Sequence, residues 1–194
     1  MNDIRSYFKE MKDAGFYIAD EAPRLVTPHA KEWFEAFMKC AIERTGNAYQ
    51  PQPEYNEIID WLSDNKGKGL LMYGNCGRGK TQIARNVIIP IYLKVHRRVV
   101  NFYNATDLKD LSNIIDKKFI CLDDIGTETS VNSYGNKFDP VSEILDKAEK
   151  ESKLLILTSN LTGEELKTRY GDRIFDRIIS TTKRVIFNGK SLRQ

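Results

Sequence analysis

Apolar residues follow helical spacing up to about residue 65 and form short strand-like runs after it. A first helical stretch is predicted over 27–44, where Thr27 and Pro28 suit the N-cap and the first helical position. Its apolar positions are Trp33, Phe34, Phe37, Met38, Ala41 and Ile42. After a Gly- and Pro-containing loop, a second helix is predicted over 54–64.

From residue 69 onward, apolar runs alternate with longer helical stretches. The predicted strands are 69–73, 99–103, 118–123, 153–158 and 183–187, and the predicted helices are 79–95, 105–115, 139–150 and 162–179. Pro90 is expected to kink or end the first of these helices. Such alternation is typical of a parallel sheet covered on both faces. We therefore expect a three-layer α/β domain over 66–194, preceded by a helical extension over 1–65.

Composition narrows the class of protein. The chain has 194 residues, 41% of them hydrophobic, and a net charge of +3, which is weak evidence for an anionic partner. No apolar run approaches the ~18 residues of a membrane span, and no secretory leader is evident, so a cytoplasmic protein is expected. The three cysteines, Cys40, Cys76 and Cys121, are scattered and indicate neither a zinc site nor a disulfide framework.

One segment carries a specific chemical signal. Its residues Gly74, Asn75, Cys76, Gly77, Arg78, Gly79, Lys80 and Thr81 fill every position of G-x-x-x-x-G-K-[ST], the phosphate-binding loop of nucleoside triphosphatases. In such loops backbone N–H groups cradle phosphate oxygens. Lys80 would reach the β- and γ-phosphates, and the Thr81 hydroxyl would bind Mg²⁺. ATP and Mg²⁺ are thus the expected cofactors, with Gln82 as a further nucleotide contact; a plain glycine-rich turn is the alternative.

Polar residues end two later strands. Asp123 and Asp124 follow an apolar run, where a carboxylate can hold the Mg²⁺ hydration shell. We assign Asp123 to the metal and Asp124 to the attacking water. Asn160 follows the strand 153–158 and is the candidate contact to the γ-phosphate or to that water. An acidic turn and an ordinary strand-ending Asn are the structural alternatives.

Together these segments resemble the AAA+ ATPases, and more narrowly the DnaC/DnaI-type helicase loaders and the related IstB transposition ATPases. The phosphate loop, Phe119–Asp124 and Asn160 match their Walker A, Walker B and sensor 1 motifs. The segment 123–128 (Asp-Asp-Ile-Gly-Thr-Glu) is similar to their Asp-Asp-Ile-Gly-x-Glu, and 171–177 (Gly-Asp-Arg-Ile-Phe-Asp-Arg) to their arginine-finger box. The resemblance spans about 69–193. It implies a five-stranded AAA+ P-loop fold and, since the chain stops early, no C-terminal lid domain.

The resemblance also implies roles for three arginines. Arg177 is the first choice for a finger that enters the neighbouring subunit's ATP site, with Arg173 as helper or alternative. Arg193, in an ending similar to the family's Gly-x-Ser-x-Arg, is a candidate sensor 2 contact to the γ-phosphate. Surface ion pairs and a frayed tail are the structural alternatives.

The expected function is that of a Mg²⁺-dependent ATPase that assists DNA replication as a helicase loader. The resemblance implies self-association through the ATP site, with a replicative helicase and single-stranded DNA as partners. An IstB-like ATPase on duplex DNA with a transposase is the runner-up, and a P-loop small-molecule kinase is a third interpretation. The polar segment 128–140 suits a DNA-facing loop with Tyr134 and Lys137 as contacts, although an ordinary surface loop explains it slightly better.

Overall fold

A five-stranded parallel sheet forms the centre of the protein. The computed structural model describes residues 2–16, 21–128, 131–133 and 136–192. Its strands are β1 (Gly69–Gly74), β2 (Asn101–Asn104), β3 (Phe119–Asp123), β6 (Leu154–Ser159) and β7 (Thr182–Phe187). They lie in the order β2-β3-β6-β1-β7, and every neighbouring pair is parallel. The predicted parallel sheet is confirmed, with β1 between β6 and β7.

Helices cover both faces of this sheet. The helices of the described residues are α1 (Asn2–Asp13), α2 (Ala30–Glu43), α3 (Pro53–Ser63), α4 (Lys80–Ile83), α5 (Ile89–His96), α6 (Leu111–Ile115), α7 (Pro140–Lys150) and α8 (Gly163–Thr181), and those from α2 onward supply the covering layers. Strand side chains alternate between two buried clusters: Leu70 and Met72 pack with α2, α3 and α5, whereas Leu71 packs with α7 and α8. This alternation produces the predicted three layers, because each strand carries apolar residues on both faces. No helix within the described residues is both long and apolar enough to cross a membrane.

The start of α2 differs from the prediction. The helix begins at Ala30 after His29, which has a left-handed φ of 55°, so neither Thr27 nor Pro28 plays its expected capping role. Thr27 is instead buried, with its hydroxyl 2.9 Å from Nε2 of His96 and its backbone N–H bonded to the Leu62 carbonyl. The contacts that fix the chain before α2 are therefore long-range, and local spacing does not reveal them.

The predicted helix 79–95 is continuous but irregular. A π-helical turn, Ala84–Ile88, joins α4 to α5, and Pro90 lies in the first turn of α5. Proline lacks an N–H and crowds the preceding turn, and the wider turn before it accommodates that crowding. The helix continues to His96, so Pro90 does not end it. The predicted helix 105–115 is shorter than expected: a 3₁₀ turn, Ala105–Asp107, precedes α6.

The polar segment after β3 contains secondary structure that the sequence pattern did not predict. Strands β4 (Val131–Ser133) and β5 (Asn136–Phe138) form an antiparallel hairpin, with Val131 opposite Phe138. Tyr134 lies outside the described residues, and Lys137 lies in β5. Their contact with DNA stays a prediction.

Candidate nucleotide-binding site

The phosphate loop connects β1 to the helical run that begins at Lys80. Gly77 and Gly79 have φ values of 73° and 87°, a region that residues with a Cβ adopt at a cost, so glycine is favoured here. The Lys80 side chain is buried, and its ammonium donates to the carbonyls of Gly74 at 2.9 Å and Asn75 at 2.8 Å. The loop thus holds the lysine at the carboxyl end of β1.

Asp123 and the end of β6 form one hydrogen-bonded unit. The Thr158 hydroxyl donates to Asp123 Oδ1 at 2.6 Å and accepts from the Asp124 N–H at 2.8 Å. Both Asp123 and Thr158 are buried. Thr158 therefore orients the Asp123 carboxylate, which is the one assigned to the metal. Its position at the polar end of a strand did not predict this role.

Asp124 and Asn160, which follow the neighbouring strands β3 and β6, meet beside the phosphate loop. Asn160 Nδ2 donates to Asp124 Oδ1 at 2.9 Å, and both residues line the same cleft as Lys80 and Thr81. Asp124 has a φ of 57°, a left-handed conformation that Asp tolerates better than most residues. This backbone turn brings the second carboxylate into the cleft, while Asp123 stays buried.

The cleft, of about 890 Å³, extends well beyond the phosphate loop. Besides Gly77–Thr81 and the two polar residues, it is lined by Gln52 and Tyr55, around the start of α3, and by a distal group: Met38, Ile42, Thr45, Asn47, Ala48 and Gln50. This group mixes apolar and amide side chains, as ligand pockets commonly do. Burial raises the pKa of Tyr55 to about 12, so its phenol is neutral at physiological pH. Sequence reasoning missed this half, since α2 and the loop after it carry no motif.

Arg78, which also lines the cleft, forms a buried ion pair. Its guanidinium contacts the Glu54 carboxylate, and both side chains are less than one-tenth exposed. It also donates to Gln52 Oε1 at 3.1 Å and to the Lys190 carbonyl at 3.3 Å. The arginine thereby ties the phosphate loop to the start of α3 and to the chain after β7. A motif position that accepts any residue gives no signal for this contact.

The chain after β7 runs along the phosphate loop. The Asn75 N–H donates to the Phe187 carbonyl and its side-chain amide to the Gly189 carbonyl, each at 2.8 Å. Leu192 lines the cleft. Arg193 lies outside the described residues, and its sensor 2 role stays a prediction.

Three further candidate nucleotide contacts line the cleft, and their contact with nucleotide stays a prediction. They are Cys76, Thr81 and Gln82, and Gln82 also donates to the Ala41 carbonyl at 3.3 Å. In the described ranges, no group of three or more His, Cys, Asp or Glu side chains could hold a metal. The Thr81 hydroxyl and the Asp123 carboxylate nevertheless suit Mg²⁺, which keeps water and takes phosphate oxygens beside one or two carboxylates.

Arg173 and Arg177 contact α7 and are not among the described residues that line the cleft. Arg177 forms ion pairs with Asp146 and, at 2.7 Å, with Glu149, and its side chain is 17% exposed. Arg173 contacts Asp146 at 3.1 Å, yet its side chain is 72% exposed. A role for either arginine in phosphate chemistry therefore requires a site other than the cleft of its own chain.

The sheet order, phosphate loop, acidic strand end and neighbouring Asn160 define a P-loop nucleoside triphosphatase with the AAA+ fold. The chain belongs to the nSTAND3 family, described as Novel STAND NTPase 3, whose model matches residues 49–190. No curated protein sequence matches it significantly.

Solved structures with the same fold include replication proteins. The crystal structure of the DnaC helicase loader is 20% identical, with a TM-score of 0.60 over 81% of this chain and 99% of that one. DnaI is 20% identical, with a TM-score of 0.53 over 73% and 88% of the two chains. AMPPCP-bound DnaA from Aquifex aeolicus is 16% identical, with a TM-score of 0.53 over 71% and 48%. These likenesses confirm the predicted AAA+ fold.

Proposed function

We propose that this protein binds and hydrolyses ATP as an oligomeric, cytoplasmic accessory protein of DNA replication, of the helicase-loader type. The observation that carries the proposal is the meeting of Lys80, Asp124 and Asn160 in one cleft. The phosphate-loop end of the cleft would take the triphosphate, and its distal end would take the base. The match to a family of NTPases supports nucleotide chemistry, and the loader fold supports the replication role.

The proposed chemistry is attack of water on the γ-phosphate. Lys80 would offset charge on the β- and γ-phosphates, and Mg²⁺, when bound by Thr81 and near Asp123, would neutralise further charge. Asp124 would accept a hydrogen bond from the attacking water, since Asn160 fixes its carboxylate at 2.9 Å. If it is held over the loop, Arg193 would add a cation from the same chain.

The site is proposed to be completed by an arginine from a neighbouring subunit. The sequence favoured Arg177, with Arg173 as the alternative. The contacts favour Arg173, because Arg177 is largely buried against Asp146 and Glu149 whereas Arg173 is exposed. Such a guanidinium stabilises charge on the transferring phosphoryl group.

The division of the chain at residues 65 and 66 stays a prediction, as does partner binding by the first segment. Helix α1 exposes Tyr7 and Phe8, which are 59% and 49% exposed and suit a protein partner such as a helicase. Because α2 and α3 share a core with β1, this idea is best tested in the full chain. Tyr7→Ser with Phe8→Ser should abolish helicase capture, and Leu93→Ser, at another exposed apolar position, should not.

DNA-stimulated ATP turnover tests the proposed function. We expect ATPase activity that rises with single-stranded DNA and falls to background in Lys80→Ala. Stimulation by duplex DNA alone would favour an IstB-like transposition ATPase. Phosphorylation of a nucleoside, without any response to DNA, would overturn the proposal in favour of a small-molecule kinase.

A mixing experiment tests the shared site. Lys80→Ala protein keeps its arginines, and Arg173→Ala protein keeps its phosphate loop, so a mixture should regain activity that neither has alone. No recovery in a mixture that demonstrably co-assembles would refute the finger role of Arg173, and the same experiment with Arg177→Ala tests the other arginine.

A further inference from the structure

The Glu128 carboxylate is buried between the acidic loop after β3 and helix α8. Glu128 is 7% exposed and is not among the described residues that line the cleft. Its Oε2 accepts from the Gly126 N–H at 2.7 Å. Its Oε1 accepts from the Tyr170 hydroxyl at 2.6 Å and from Arg169 at 3.0 Å. One carboxylate thus joins the backbone two residues after Asp124 to two consecutive residues of α8.

Arg169 extends this contact to the base of the β4–β5 hairpin. It donates to the Glu128 carbonyl at 3.1 Å and to Asp139 Oδ2 at 2.9 Å. The other Asp139 oxygen accepts from Val141 and Ser142 at the start of α7. Glu128 and Asp139, the residues that flank segment 129–138, are therefore attached to one guanidinium.

Helix α8 changes direction directly after these contacts. Gly171 has φ 78° and ψ 165°, values that interrupt the helix between Tyr170 and Arg173. Apart from its chain neighbours and the backbone of α8 itself, no described atom lies within 4 Å of the position that a Cβ on Gly171 would occupy, so no other element packs against the break at that point. Glu128 thus holds the half of α8 before the break, and Arg173 lies on the half after it.

We propose that Glu128 is a positioning residue that couples the acidic loop of the nucleotide site to the arginine-bearing half of α8. The proposal rests on the proposed function, in which Asp124 contacts the attacking water beside the bound triphosphate and Arg173 serves a neighbouring subunit. A shift of the loop with nucleotide moves the Gly126 N–H. Glu128, Arg169 and Tyr170 follow it, because a buried charge that loses a partner is costly. The break at Gly171 then changes the direction of Arg173.

The charge of Glu128, rather than its volume, carries this coupling. A carboxylate accepts from all three donors, whereas the amide nitrogen of Gln accepts from none. Glu128→Gln therefore keeps the shape of the side chain but loses one of its two acceptor oxygens. Either the Gly126 N–H or the two donors on α8, Arg169 and Tyr170, are then left without an acceptor. Burial and the charge of Glu128 raise the pKa of Tyr170, so its hydroxyl remains a donor.

Hydrogen–deuterium exchange of the full-length protein, with and without Mg²⁺ and a slowly hydrolysed ATP analogue, tests the coupling. In the wild type, nucleotide should change exchange in both 124–128 and 164–177. In Glu128→Gln, the change should remain in 124–128 and disappear from 164–177. An unaltered response of 164–177 in the variant, or no response there in the wild type, would overturn the inference. Glu143→Gln, an exposed carboxylate on α7, is the matched control and should behave as wild type.

Subunit mixing gives a second readout that a merely structural role would not produce. Glu128→Gln alone should lower turnover about tenfold to a hundredfold, as expected for a misplaced catalytic group. Its phosphate loop is intact, so mixing with Lys80→Ala should restore activity, whereas mixing with Arg173→Ala should not. One outcome would overturn the inference and leave the proposed function standing. In it, the mixture of Arg173→Ala with Lys80→Ala regains activity, but the mixture of Glu128→Gln with Lys80→Ala does not. A wild type that does not bind the analogue would overturn both.

Discussion

The Leu192 N–H donates to the Gly77 carbonyl at 2.9 Å, which attaches the chain after β7 to the centre of the phosphate loop. The Ser191 side chain lies against the same glycine. The loop is therefore held from outside by a segment distant in sequence. Its shape depends on residues 187–192 as well as on its own glycines.

Gly77→Ala should weaken both the fold and the nucleotide site. A Cβ here would overlap the Ser191 hydroxyl, and the φ of 73° is unfavourable for alanine. We expect a loss of about 1–3 kcal/mol in the free energy of unfolding, measured by urea denaturation, with weaker binding of a fluorescent ATP analogue. Gly46→Ala is the control, since its φ is 76° but no described atom lies within 4 Å. Equal effects of the two substitutions would contradict this account.

Lys80→Ala should remove nucleotide affinity while preserving the fold. Loss of the ammonium deprives the phosphates of a charged donor, a contact of about 1.5–3 kcal/mol, or roughly tenfold to a hundredfold in the dissociation constant. Titration with a fluorescent ATP analogue measures this. Lys94→Ala, an exposed lysine on α5, should bind normally. Unchanged affinity of Lys80→Ala would refute the assignment of the phosphate loop.

Glu54→Ala should destabilise the protein strongly, because it leaves the buried Arg78 guanidinium without its carboxylate. Breaking one side of a buried ion pair costs about 3–5 kcal/mol, which urea unfolding would measure. Removal of Asp64, which pairs with the exposed Arg24, should have a smaller effect. If the order of the two effects were reversed, the pair would not be the connection we describe between α3 and the phosphate loop.

Arg177→Ala should destabilise the protein, whereas Arg173→Ala should leave its stability almost unchanged. Arg177→Ala should lose about 1–3 kcal/mol, because its guanidinium joins α8 to Asp146 and Glu149 on α7. Arg173→Ala should remain within about 0.5 kcal/mol of wild type, as its side chain is mostly exposed. Thermal unfolding of the two variants checks this. If Arg177→Ala were as stable as the wild type, Arg177 would again be the favoured finger.

Stability should fall below about pH 6.5 through His96. Burial, reinforced by Arg98, lowers the pKa of His96 below its ordinary value of 6.5. His96 therefore binds a proton more readily in the unfolded chain than in the folded protein. The stability that neutral His96 contributes above pH 6.5 is lost as the pH falls through the folded-state pKa. Urea unfolding between pH 8 and pH 5.5 should show this slope, and His96→Gln should flatten it. His29→Gln, at an exposed position, should keep it; a flat profile in the wild type would contradict the prediction.

Sequence patterns predicted the parts of the molecule that depend on nearby residues. The five strands follow from apolar runs, and the phosphate loop follows from a motif whose glycines meet local backbone demands. The capping role predicted for Thr27 was wrong, and the ion pair of Arg78 was not predicted, because their partners, His96 and Glu54, are far away in sequence. The distal end of the cleft was missed for the same reason. The contact between Asp124 and Asn160 could be anticipated, since parallel strands end at one edge of the sheet.

The attachment of Glu128 and Asp139 to the one Arg169 guanidinium fixes the entry and the exit of segment 129–138 side by side. The entropic cost of closing a loop grows only slowly with its length. Residues inserted between Glu128 and Asp139 should therefore cost the domain beneath them little stability, as long as both attachments to Arg169 remain.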